Sequence, residues 1–285
     1  MQLGRNLPGV RSMNKALRSI LVLASLSSLF HVTAGNAVAA STLRGGGTGA
    51  AMVLLNRLGE AFSAQNPGVS IEVVVGLGTS GAIEALVDGA LDFAVAARSL
   101  TPSEQAKSLA FAPFCRTPFG IVTSYATPSG FGRLDLTDFY ADPTSRWPDG
   151  TAVKVILRPR SDSDTMMLAK LSPRMAEVLD NLRKRAEIPI AATDQDNGKL
   201  AASLQGSLAT MTYTQALSEN LDLRFLEIDG IVPSVENLER GRYSLERRFY
   251  FVSRADNRAE AFIAFVRSPE GEKILREAGN LPVMP

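Results

Sequence analysis

Three short segments of small, oxygen-bearing residues carry the chemistry this chain can do: Gly47-Thr48-Gly49, Gly78-Thr79-Ser80-Gly81 and Ser163-Asp164-Thr165. Each falls where a strand or loop gives way to a helical pattern. A helix N-terminus presents unpaired N–H groups and a partial positive charge, so such a junction receives anions. Small residues let the backbone approach a ligand, and the hydroxyls add donors. Arg158 lies just upstream of the third segment and offers an oxyanion two parallel N–H donors. Taken singly, a turn of this composition is ordinarily only a helix cap. Three in one chain, with an arginine beside one, point to oxyanion binding. No Gly-Lys-Ser/Thr follows the glycines, so none is a phosphate loop of the nucleotide-hydrolase kind.

What is missing narrows the chemistry further. The 285 residues include one histidine, His31, and one cysteine, Cys115. A single cysteine closes no internal disulfide, and no Cys/His cluster of zinc-binding spacing is possible. His31 lies in a leader: residues 1–39 carry Arg5, Arg11, Lys15 and Arg18 without an acid, then an apolar run from Ile20 to Phe30, then Ala37-Val38-Ala39. Basic region, short apolar region and A-x-A site read as a secretory signal peptide, with Met13 an alternative start. The apolar run is shorter than the roughly 20 residues a membrane span needs. No cysteine at the cleavage site is available for lipid anchoring. The remaining 246 residues hold no histidine and have 26 basic against 29 acidic residues, a net of −3. Histidine-based nucleophilic and acid–base catalysis are thereby excluded, and no electrostatic footprint for nucleic acid remains. Cys115, between Phe114 and Arg116, reads as a buried structural thiol. Glu84, Asp88 and Asp92 read as solvated faces or caps, and Arg183, Lys184 and Arg185 as a solvated helix face.

The elements that must position these residues are legible in outline. After a Gly-rich turn expected at 44–49, Ala51, Leu54, Leu55, Leu58 and Phe62 share one helical face, stopped by Asn66-Pro67-Gly68. Val69 to Val75 is β-branched and predicts a buried strand running into the second glycine turn and a short helix, Ala82 to Asp88. Further strands are expected at Leu91 to Ala96, Phe119 to Tyr125, Val153 to Leu157 and near Phe249 to Val252. Helices are expected from Met166 to Lys170 and from Arg258 to Arg267, with a last one capped by Ser268 and opened by Pro269. Helix and strand alternate, which predicts an α/β fold with a largely parallel sheet.

Several stretches in this order resemble the phosphate-binding-protein-like (type II) solute receptors of bacterial ABC importers. GGGTGAAMVLLNRLGEAF resembles the family's opening loop and first helix, and GLGTSGAIEALVDGALDFAVAARSL its second ligand loop and following strand. FAPFCRTPFGIVTS is similar to the strand entering the first crossover. LTDFYADPTSRWPDG and LRPRSDSDT are similar to the approach to the third ligand loop and that loop itself. ENLERGRYSLERRFYFVSR and AFIAFVRSPEGEKILREAG are similar to the family's returning strand and last helices. The resemblance implies a two-lobed periplasmic binding protein-like fold with the ligand cleft between lobes. Residues 40–122 and 231–285 would form lobe 1 and residues 123–230 lobe 2. Carried over, Thr48 and Gly49, Thr79 and Ser80, and Arg158, Ser163 and Thr165 would contact the ligand, with Arg98, Arg160 and Asp164 as further candidates.

Two substitutions and one change of spacing depart from the pattern. Phosphate receptors of the family place an aspartate after the strand matching LDFAVAA; Ala97 stands there, followed by Arg98. The family's Ser-Gly-Thr becomes Ser163-Asp164-Thr165, and the Arg-to-Ser spacing is one residue longer, which leaves Arg160 a rival to Arg158. The function implied is an exported, non-enzymatic receptor, periplasmic or secreted and not membrane-embedded. It would capture phosphate or a related oxyanion, without cofactor or metal, and deliver it to an ABC permease. The alternative is a sensing or interaction module of the same fold with an altered anion site. A secreted hydrolase lacks a histidine, a metal cluster and a carboxylate pair.

Overall fold

A computed structural model describes residues 41–256 and 258–283. The leader read in residues 1–39 lies outside the described residues. Nine strands build the sheet: β1 (Ser41–Gly47), β2 (Val69–Val74), β3 (Phe93–Ala96), β4 (Ala110–Thr123), β5 (Lys154–Val155), β6 (Ser207–Thr212), β7 (Arg224–Phe225), β8 (Glu246–Ser253) and β9 (Leu281–Pro282). Their order is β2-β1-β3-β8-β4-β6-β5, with β7 and β9 pairing onto β4. β1 runs parallel to β2 and β3, and β5 parallel to β6, as helical crossovers require. The central pairs β3–β8, β8–β4 and β4–β6 are antiparallel. The sheet is therefore mixed, where the sequence predicts a largely parallel one. The reason lies in β4 and β8, which run back along each other rather than feeding a crossover helix. A register shift at Pro113/Cys115 bends β4 where proline has no N–H for the ladder.

Local sequence explains most elements and also the misreadings. Leu54, Leu55, Leu58 and Phe62 are buried on one face of the helix Met52–Gln65, as their spacing predicts. Ser268 caps the helix Pro269–Glu277 by accepting the Gly271 N–H at 3.3 Å, with Pro269 at its first position. The stretch Arg44–Gly47 is not a turn but the end of β1. A Cβ on Gly45 would land inside the Phe93 ring, so the glycines let that ring lie against the strand. β2 stands at the sheet edge and is half-exposed, not buried, and Val75 just past its end is 66% exposed. Of Val153 to Leu157, only Lys154–Val155 is strand, while Leu157 bridges to Ile190. The helix expected at Ala82 starts earlier and spans Gly78–Val87, and the one expected at Met166 spans Ser163–Leu168.

Alternation along the strands sorts the interior into layers. Phe93 and Val95 join Leu58, Phe62, Phe251 and Phe262 on one face, while Ala94 and Ala96 join Ile83 and Leu86 on the other. Beyond them, Ile121 and Leu208 pack with Trp147, Tyr140 and Met175, and Val122, Ala209 and Met211 form a further cluster. β4 threads all of this, its Phe114 in the first cluster and its Ile121 and Val122 in the later two. Ile231, Tyr243 and Leu245 pack with Trp147 rather than with the Phe62 cluster. Cys115 is fully buried, donates weakly to the Asn280 side chain at 3.6 Å, and has its thiol pushed up by burial, as a structural cysteine should. Among the described residues no helix is long and apolar enough to cross a membrane.

Candidate functional site

β1, β2 and β3 are parallel, so their C-terminal ends lie along one side of the sheet, the usual place for a ligand in such an arrangement. Just past those ends lies a cavity of about 220 Å³, room for a small anion with water around it. Thr48 and Gly49 reach it from the end of β1, and Gly78, Thr79 and Ser80 from the first turn of the helix Gly78–Val87. Arg98 reaches it from beyond β3, and Arg158 and Ser163 from the opposite wall. Gly76 and Gly78 hold left-handed backbone, φ +83° and +64°, with open space where a side chain would be. The wall there is bare main chain.

The first wall is fixed by its own contacts. Thr79 Oγ1 accepts the Ala97 N–H at 3.1 Å, tying the helix start to the end of β3. Arg98 donates to both Glu104 oxygens at 2.8 and 2.9 Å and to Ser80 Oγ at 2.8 Å. The Arg98 guanidinium holds the Glu104 carboxyl down at about 2. Glu104 in turn completes a capping box with Thr101. Arg98 faces the cavity with its charge already balanced.

The opposite wall is rich in acid. Arg158 is 4% exposed and is this wall's arginine at the cavity. Its Nη1 donates to the Ala191 carbonyl at 2.7 Å, and its Nη2 to Asp162 at 2.8 Å and Asp194 at 3.3 Å. Its Nε, also buried, has no partner among the described residues. Arg160 is surface-exposed and ion-pairs with Asp180, so of the two arginines it is Arg158 that lines the cavity. Thr165 also turns away: its hydroxyl donates to the Arg158 carbonyl at 3.1 Å and accepts from Arg183 at 3.2 Å. Arg183 donates to the same carbonyl at 2.6 Å and so steadies Arg158, where the sequence predicts a solvated helix face.

Asp164 does not line the cavity either. It is buried behind it, paired with Arg247 of β8 at 2.6 Å and accepting from Thr210 at 3.3 Å. Arg247, 3% exposed, also donates to the Ala97 carbonyl at 3.2 Å and lies 5.0 Å from the Phe119 ring centroid. The two departures noted in the sequence, Ala97 and Asp164, are thus joined through one arginine. Sequence reasoning misses Arg247, though its signal is there. In Glu246–Ser253 it shares the buried face with Phe249 and Phe251, two and four residues on, so it is a charge at a core position.

Asp194 and Gln195 are missed as well. They open the helix Asp194–Ser203, capped by Thr193 through the Asp196 N–H at 3.0 Å; the Thr193-to-Asp196 spacing is the signal that could have found them. Asp194 Oδ2 accepts the Ala50 N–H at 3.1 Å, and Gln195 Nε2 donates to the Gly49 carbonyl at 2.9 Å. Burial and the neighbouring Asp164 carboxylate push Asp194 up to about 7, against the pull of Arg158. Burial likewise raises Asp164, against the pull of Arg247. Among the described residues no cluster of histidine, cysteine and acid is placed to hold a metal. Donors from one wall and an arginine from the other can grip a small oxygen-bearing ligand, and carboxylates around that arginine limit how much negative charge it accepts.

Residues 32–270 match the family model described as the PBP superfamily domain. Among solved structures, the chain is similar to a candidate phosphate ABC transporter substrate-binding protein with bound phosphate from Clostridium perfringens. Identity is 19% and TM-score 0.73, over 86% of this chain and all of that one. It is similar to a phosphate-binding protein from Stenotrophomonas maltophilia at 12% identity and TM-score 0.63, over 86% and 91% of the two chains. It is also similar to an ABC-type phosphate transport receptor from Vibrio cholerae at 20% identity and TM-score 0.60, over 85% and 100%. No curated protein matches the sequence.

Proposed function

The chain belongs to the PBP superfamily, and from that premise we propose that it is an exported solute receptor that captures phosphate or a related oxyanion for an ABC importer. One observation carries the reading. Thr48, Thr79, Ser80 and Ser163, the bare main chain at Gly78 and the buried Arg158 line one small cavity. Donors of this kind bind oxyanions without imidazole or metal. Thr48, Gly49, Thr79, Ser80, Arg158 and Ser163 are the proposed contacts, Arg98 lies beside them, and Thr165 acts by holding the Arg158 main chain. The relatives whose descriptions name phosphate support the ligand class, as does the leader for export. The two-lobe division at 40–122 and 231–285 against 123–230 is part of the proposal, with 231–245 leaning on the second lobe's core. Closing such lobes on a ligand would present one shape to a permease. The role is binding rather than turnover.

Isothermal titration of the purified protein against phosphate, sulfate, molybdate and a phosphonate tests this. At least one should bind more tightly than about 1 mM, roughly −4 kcal/mol. Binding of none defeats the receptor reading. A second reading, a sensing or interaction module, is favoured by one observation: the Arg158 fork is already engaged by Asp162, Asp194 and Ala191. That reading expects no oxyanion binding even after these acids are neutralised.

A further inference from the structure

Asp194 reaches across the cavity and does what a ligand would do. One carboxylate oxygen accepts the Ala50 N–H at 3.1 Å in the turn that follows Thr48, and the other lies 3.3 Å from Arg158 Nη2. A Cβ on Gly49 would sit 2.5 Å from Asp194 Oδ2, so Gly49 is what lets the carboxylate come so close to the main chain. Gln195 holds the same turn from beside it through the Gly49 carbonyl at 2.9 Å. A main-chain N–H just past the first oxyanion-receiving segment and an arginine fork just upstream of the third are the two donors brought together here.

We propose that Asp194 is a built-in counter-anion, its carboxylate holding the donors of Ala50 and Arg158 that an oxyanion must take over in order to bind. The inference rests on the oxyanion reading above and deepens it, because it names the residue that sets affinity. It also fixes a direction with pH. The groups facing Asp194 are Arg158, Asp162 and Asp164 from the segment that opens the helix Ser163–Leu168, and Arg247 from β8. Glu219 lies beyond Gln195, accepting from it at 2.9 Å. Burial and the nearby acids favour the protonated form of Asp194, so below about pH 7 the seat holds a neutral carboxyl and above it a competing anion. Oxyanion affinity should therefore fall as pH rises through that range, beyond any change in the ligand's own charge.

The test compares phosphate dissociation constants of wild type and Asp194→Asn from pH 5.5 to 8.5. The ratio of the two constants at each pH cancels the titration of phosphate itself. Asn keeps the size of the side chain and lacks the charge. The variant should bind at least tenfold more tightly than wild type at pH 8.5, and the advantage should shrink toward onefold at pH 5.5. Asp194→Ser, with the seat emptied, should show the same trend, and thermal melts establish that each variant is folded. Equal constants at pH 8.5, or weaker binding by folded variants at every pH, overturn the inference and make Asp194 a ligand contact or scaffold. Phosphate binding by the variants alone supports it. Failure of phosphate, sulfate and molybdate to bind any of the three proteins at any pH instead removes the oxyanion reading, and the inference with it.

Discussion

The two walls of the cavity are built on opposite electrostatic plans. The wall from β1, β3 and the helix Gly78–Val87 offers hydroxyls and main chain, and its single arginine is closed off by Glu104. The facing wall concentrates Arg158 with Asp162, Asp194 and, behind them, Asp164 paired to Arg247. One wall receives an anion by neutral donors, while the other brings charge and its own compensation. Neutral donors fix the orientation of a ligand, whereas a partly neutralised arginine governs how strongly its charge is felt. Selectivity and the pH response of binding should therefore reside in the second wall.

The largest effect expected from that contrast is on stability. Arg247→Ala leaves Asp164 buried without its partner and should cost about 3–5 kcal/mol in urea unfolding, whereas Arg247→Met with Asp164→Leu should regain most of it. A single-variant loss below about 1 kcal/mol would mean that water reaches the pair. Next is Arg158→Ala, which should weaken phosphate binding by about 1.5–3 kcal/mol in titration calorimetry, the range for a charge-assisted hydrogen bond. Unchanged affinity would shift the oxyanion to the first wall alone.

The walls should also respond to pH in opposite directions. Glu104 is held at about 2, below its ordinary 4.5, so the stability it contributes is present above about pH 4.5 and fades as pH falls toward 2. Asp194 is raised from 3.8 to about 7, so the stability linked to it is greatest at low pH and is lost as pH rises through about 7. Buried Asp164, also raised, adds to the second trend. Melting temperature should peak near about pH 4, fall as pH rises toward about 7 and level off above it. Asp194→Asn should flatten the alkaline side and Glu104→Gln the acid side. A melting temperature that climbs steadily from pH 5 to 8 would contradict the assignment of the second wall.

Sequence reading reached the first wall more fully than the second, for a physical reason. Thr48, Thr79 and Ser80 sit at local strand–helix junctions, and junction chemistry is written in neighbouring residues. Asp194 and Arg247 act through partners 144 and 83 residues away, Ala50 and Asp164, and local pattern does not specify such pairs. The fold was legible where periodicity was strong, as in Met52–Gln65 and Pro269–Glu277. It was misread at Arg44–Gly47, because glycine-rich strands run against β-propensity and this one depends on the Phe93 ring packed against it. The carboxylate at Asp164 makes sense only beside Arg247 in β8, a partner that the local sequence does not reveal.

The smallest effect should come from Arg160, which matches Arg158 in type and stands two residues away. Its guanidinium is 65% exposed beside Asp180, where water and salt screen the pair, and Arg183 stands between this surface and the Arg158 carbonyl. An exposed pair of that kind contributes about 0–1 kcal/mol to stability. Arg160→Ala should therefore leave phosphate affinity within about twofold of wild type and the melting temperature nearly unchanged, in the same titrations and melts that Arg158→Ala disturbs. A loss of affinity at Arg160 comparable to that at Arg158 would mean that the segment 158–162 turns over when ligand enters, and that the acids now around Arg158 are released at the same moment.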